Sequence, residues 1–182
     1  PKAENSIFFR QTLMKHHDLL LSILTEPTAP FREIKQAELL RRVLTENRVP
    51  YFFDPSGNCI VGVKSKAEYL KLISTKSNEP VRLIIAHMDH PGFHGESWEN
   101  SDHTTIGSKM NFIWHGGSPT KHLDRSRVWL SDNDGYFGEG VMRDVEMASH
   151  GKAIQSGKIE ITQLTRKPVG DPKKIFGGFG FR

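Results

Sequence analysis

The segment that most restricts the fold is residues 81–86, VRLIIA, apolar apart from Arg82, which passes straight into HMDHPGF. An aliphatic, β-branched stretch of this length predicts a strand covered on both faces, the kind found inside an α/β sheet with helices above and below it. A chain holding such a strand needs layers on either side of it, and the upstream sequence supplies candidates. Behind Ser6, the residues Phe9, Leu13, His16 or His17, Leu20 and Leu24 recur at three- and four-residue steps, predicting a serine-capped amphipathic helix that Pro27 and Pro30 stop. Ile34, Ala37, Leu40, Val43 and Leu44 then share one face of a second helix ending near Asn47, with Arg41, Arg42 and Glu46 toward water. Residues 49–53 and 59–63 flank DPSGN and predict a hairpin, and KAEYLKLI predicts one short helix. Helices, a hairpin and a doubly covered strand together predict a layered α/β domain.

Past Phe93 the helical period vanishes and Gly, Ser, Asn and Asp rise around short β candidates. NFIWHGG, RVWLSDNDGYFGEGVM and KIEITQL predict the strands of a small β domain, with DNDG as a tight turn between residues 128–130 and 138–142. The glycine cluster GGFGF reads as a linker, since no Lys-Ser/Thr follows it to make a phosphate loop.

A length of 182 residues suits one full domain or two small ones, and 36% hydrophobic with 25% charged residues describes an ordinary globular chain. The longest apolar stretch, residues 83–86, falls far short of a membrane-spanning helix, so no membrane partner is expected. The net charge of +4 is spread among acids without an aromatic-interleaved basic stripe, which argues against nucleic acid. Lys152, Lys158, Arg166, Lys167, Lys173 and Lys174, set against Glu160 and Asp171, read as a solvated face. A single cysteine, Cys59, allows no intrachain disulfide, and with no Asn-x-Ser/Thr acceptor and no visible signal segment a cytoplasmic location is expected.

Chemistry gathers at His87 and Asp89. Residues i and i+2 of an extended segment lean to one side, so His87 can offer a ring nitrogen to a cation while Asp89 takes its other N–H and fixes the tautomer. The carboxyl end of a strand in an open α/β sheet is also where ligand crevices lie. The spacing alone is common, and a polar strand end is the bland alternative. Neighbouring His90, His94 and Glu96 read as loop residues. Cys59 reads as buried and inert rather than nucleophilic. No Gly-x-Ser-x-Gly elbow is present, and Trp98, Trp114 and Trp129 read as core or interface residues of the β domain.

The order of GNCIVGV, an apolar strand, AHMDHPGF and then HGGSPTKHLDRSRVWLSDNDGYFGEGVM resembles the zinc aminopeptidases of the deblocking and glutamyl aminopeptidase group, which build large hollow assemblies. The resemblance covers most of the chain, although GESWENSDHTTIGS looks longer than that group's entry into its β domain. It implies a partial three-layer α/β zinc-exopeptidase catalytic domain over residues 1–96, followed by an inserted small β-barrel-like domain over 97–182. It further implies that His87 binds one of two bridged divalent cations, zinc first with cobalt or manganese as alternatives, and that Asp89 orients it. A peptide would be the substrate and a homo-oligomer the assembly. The group's remaining ligands and its Glu-Glu general base follow the inserted domain. No Glu-Glu pair occurs here, so the chain is expected to be an N-terminal fragment, inactive alone. The alternative is a non-catalytic interaction or assembly module with a vestigial His-x-Asp.

Overall fold

The computed structural model describes residues 16–76, 79–99, 105–121 and 123–180. It forms two compact units, one of residues 36–88 and one combining the chain up to Lys35 with everything from Asp89 onward. The predicted cap at Ser6 and the residues Phe9 and Leu13 lie outside the described residues.

In the larger unit, helix α1 spans residues 16–25. Leu20 and Leu24, expected on its covered face, are about half exposed, and Leu19 and Ile23 are the partly covered positions instead. The body of this unit is a closed antiparallel barrel of six strands: β3 (Gly92–Trp98), β4 (Lys109–His115), β5 (Arg127–Asp132), β6 (Gly135–Met147), β7 (Ile154–Leu164) and β8 (Phe176–Gly178). Around the barrel the order is β3-β4-β7-β6-β5-β8, with β8 pairing back onto β3. Alternation along each strand sends one set of side chains inward. Met110, Phe112 and Trp114 of β4 face Phe93, Val128, Leu130, Phe137, Met142, Ile159 and Ile161 in one continuous core. Phe112 is 1% exposed and lies 5.4 Å from the Phe93 ring. Truncating a core phenylalanine of this kind costs about 3–5 kcal/mol. Phe112→Ala is therefore expected to lower the unfolding free energy, obtained from urea titrations followed by tryptophan fluorescence, by that amount, whereas Ile113→Ala, on the outer face, leaves it nearly unchanged.

Two strands of the barrel were hidden in the sequence by glycine. GGFGF, read as a linker, supplies β8, the strand that closes the barrel between β3 and β5. A Cβ on Gly177 would meet the Trp129 carbonyl oxygen and would sit 2.6 Å from Cζ of Phe93. Strand β3 likewise begins at Gly92, where the sequence shows only the exit of an apolar run. At Gly95 a Cβ would lie 2.5 Å from the Met110 sulfur. Both glycines are demanded by close approach across a narrow barrel.

The smaller unit holds α2 (Ile34–Glu46, entered from the other unit), the hairpin β1 (Tyr51–Phe53) with β2 (Cys59–Val61), and α3 (Lys66–Ser74). The hairpin turn forms because the Asp54 carboxylate accepts from the Ser56 and Asn58 amides, each at 2.9 Å, while Gly57 takes φ +86°. Helix α3 starts at Ser65, whose hydroxyl accepts from the Glu68 amide at 3.2 Å, and Glu68 in return accepts from the Lys64 amide at 2.7 Å. Ser65→Ala is expected to lose about 1 kcal/mol of helix stability, read as faster amide exchange confined to residues 66–69.

A three-layer α/β exopeptidase domain is not what these residues build. The expected central strand at 81–86 has no regular structure, and Ile84 is 95% and Ile85 83% exposed. A parallel-type strand owes its existence to neighbours on both edges and helices on both faces. Among the described residues of its unit, the sheet is only the two-stranded β1–β2 hairpin, and 81–86 does not join it. The fold is instead mostly sheet, a closed six-stranded antiparallel barrel with three short helices among the described residues.

Candidate functional site

His87 and Asp89 stand in the irregular stretch that precedes β3, His87 exposed and Asp89 partly buried. His87 belongs to the smaller unit and Asp89 to the barrel unit. Neither rides on a strand, so the same-side argument from extended geometry does not carry over to this stretch. Among the described residues no three His, Cys, Asp or Glu side chains gather in a way that would hold a cation. The pair is thus two donors at most, where a zinc centre takes three or four protein ligands.

The neighbours expected in a loop separate. His90 is a loop residue and lines a crevice of about 50 Å³ with Glu26, Pro27, Trp129 and Phe179. His94 and Glu96, by contrast, are on strand β3. Because Phe93 points into the core, His94 points out, where β4 places His115 diagonally across from it. The two imidazole centroids are 5.1 Å apart with their planes at 88°. The segment 27–33 lies over them. Thr28 and Ala29 are buried, Pro30 accepts a hydrogen bond from His94 Nε2 at 2.6 Å, and the Phe31 ring stands edge-on to both imidazoles, 6.3 Å and 5.6 Å away. Half-burial holds the His94 imidazole below its ordinary proton affinity, with nearby Arg32 and His115 acting the same way against the Pro30 carbonyl and Glu33. His115 escaped the sequence reading because nothing in "FIWHGG" shows which strand will lie beside it.

A second electrostatic feature was also missed. Asp132, 1% exposed, ends β5 and receives both terminal nitrogens of Arg166, one at 3.0 Å and the other closer, together with the amides of Asp134 at 2.9 Å and Val169 at 3.2 Å. Burial pushes this carboxyl up, but the Arg166 hydrogen bonds and the two amides outweigh it and hold the group below the usual carboxylate range. Arg166 also donates to the Gly135 carbonyl at 2.6 Å and stands over the Phe137 ring. It is therefore a structural clamp on the SDNDG turn rather than part of a solvated face. Lys158 is likewise engaged, at 2.7 Å from Glu99 and 3.0 Å from Asp144.

Cys59 is half-buried at the start of β2, and burial pushes its thiol up, with Arg41 opposing weakly, so it is a poor nucleophile at neutral pH. Trp114 lies in the barrel core, and Trp98 packs against it while donating to the Gly170 carbonyl at 2.9 Å. No helix among the described residues is long and apolar enough to cross a membrane. Compared with known proteins, the sequence matches no family model and no curated protein.

Proposed function

We propose that this chain is the N-terminal portion of a metal-dependent aminopeptidase in which His87 holds one of two divalent cations and Asp89 orients its imidazole. The cations, zinc in the first instance, activate a water that attacks the peptide bond behind the N-terminal residue, and one of them polarises the scissile carbonyl. The observation that carries the reading is the junction itself: a His-x-Asp pair between an apolar run left uncovered and the first strand of a closed barrel. Uncovered apolar surface of this kind marks a place that further protein closes over. Two donors do not make a two-cation centre, so the general base and the remaining hard ligands come from residues other than those described. The peptide is the partner at the site, a homo-oligomer is the working assembly, and the single cysteine suits a cytoplasmic location.

The test is hydrolysis of an aminoacyl chromogen by the parent protein after loading with zinc or cobalt. Turnover that needs metal, disappears on chelation and falls at least about 100-fold in His87→Ala supports the reading, as loss of even a ligand's orienting partner typically costs about 10–100-fold. The isolated 182-residue chain is expected to show none. If saturating zinc or cobalt gives no cleavage and His87→Ala leaves metal content unchanged, the His-x-Asp is vestigial and the chain is an assembly module.

A further inference from the structure

We propose that His94 and His115 form a pH-operated latch that holds the segment 27–33 against the outer wall of the barrel and releases it in mildly acidic solution. The latch has three parts. The first is the hydrogen bond from His94 Nε2 to the Pro30 carbonyl, at 2.6 Å, which commits that nitrogen as a donor and leaves Nδ1 as the basic site. The second is the aromatic stack, in which Phe31 stands edge-on to both rings and the two imidazoles stand edge-on to each other. The third is strain. Phe31 takes φ +67°, a left-handed conformation that a bulky residue adopts only when its surroundings impose it. The Phe31 amide is turned onto the Glu33 carboxylate at 2.8 Å and the Arg32 amide onto the Ala29 carbonyl at 2.9 Å, so the turn is held by few bonds.

Protonating His94 puts a cation into this packing. The charged groups around it come from each packed element. The segment itself brings Arg32 and Glu33, and β4 brings His115. The short helical turn Pro172–Lys174 brings Lys173, whose carbonyl accepts from Arg32 at 2.8 Å, and β3 brings Glu96 beyond the bulge after Gly95. Strand β8 meets His94 through Phe176 and adds no charge. Desolvation, Arg32 and the second imidazole oppose the proton more strongly than Glu33 and the Pro30 carbonyl favour it. The latched state therefore binds the proton less well than the released state, in which His94 is solvated. The sign follows: latching is complete above about pH 6.5, the ordinary histidine value, and weakens as pH falls from there through the latched-state value.

Hydrogen exchange at the Arg32 amide reads the released population directly. After correction for intrinsic exchange, its protection is expected to fall by up to about tenfold per pH unit below pH 6.5, the limit for one proton, while the amides of β4 and β7 keep theirs. His94→Gln keeps an N–H donor toward Pro30 and removes the titration, so its Arg32 protection is expected to be flat between pH 8 and 5. His115→Gln removes one group that opposes the proton on His94 and is expected to shrink the loss of Arg32 protection below pH 6.5, which tests the latch independently should His94→Gln fold poorly. Protection in the natural protein that does not change with pH, or that changes equally in His94→Gln, overturns the latch.

Discussion

Arg166→Ala is expected to lower the stability of the barrel by about 3–5 kcal/mol, because it leaves the Asp132 carboxylate charged, shielded from water and without its partner. The cost exceeds that of an ordinary ion pair for a geometric reason. Asp132 is fully covered while Arg166 is about one-third exposed, so removing the guanidinium strands a charge that solvent cannot reach. Asp132→Asn removes the charge itself but keeps an acceptor oxygen for only one of the Asp134 and Val169 amides, which donate to different carboxylate oxygens, so it is expected to be destabilising through an unpaired amide rather than a stranded charge. Acid separates the two. The carboxyl is held below its ordinary value, so the pair's contribution is present above about pH 4 and is lost as pH falls through the folded-state value. Urea midpoints followed by tryptophan fluorescence at pH 7 and pH 3 give both numbers. The natural protein should lose stability between the two, and Asp132→Asn should lose distinctly less. Equal acid sensitivity in the two proteins would show that Asp132 is not the group that responds.

Gly177→Val is expected to prevent the barrel from closing. Already at the Cβ position the new side chain meets the Trp129 carbonyl and the edge of the Phe93 ring, and the carbonyl belongs to a strand that cannot move without losing its pairing with β8. Overpacking against flexible side chains typically costs about 1–3 kcal/mol, and more where backbone is the obstacle. Strand β8 is three residues long and, among the described residues, is the only bridge between β3 and β5. The expected readout is loss of the cooperative unfolding transition and of the near-ultraviolet signal from buried Trp114. Gly151→Ala, at a turn with open space around the glycine, should lose only the small penalty of its positive φ. A cooperative Gly177→Val protein with unchanged β4–β7 amide protection would mean that the barrel does not depend on β8.

What could be read from the residues beforehand follows the range of the forces involved. Hairpin β1–β2, helix α3 and the turn between β5 and β6 are set by contacts a few residues apart, such as Asp54 with Asn58 and Ser65 with Glu68, and their sequence signals are local. Strand β8 was not legible, because glycine is depleted from strands in general and is required here only by the approach of Phe93 and Trp129 from elsewhere in the chain. The run at 81–86 failed in the opposite way. Its composition is that of a buried strand, but a strand is made by its neighbours, and the described residues put none beside it. The site divides similarly. His87 and Asp89 were visible as a pair from their spacing, whereas the apposition of His94 with His115 depends on the β3–β4 register, and that of Asp132 with Arg166 spans 34 positions.

Counting bound metal tests the proposed cation at His87 most directly. The parent protein, dialysed against cobalt and then against metal-free buffer, is expected to retain two cations per chain. His87→Ala is expected to retain fewer, while Asp89→Ala, which loses only the orienting carboxylate, should retain His87-dependent metal with affinity weakened about 10–100-fold. Equal metal content in the natural protein and His87→Ala would contradict the assignment of His87 as a ligand, and with it the aminopeptidase reading.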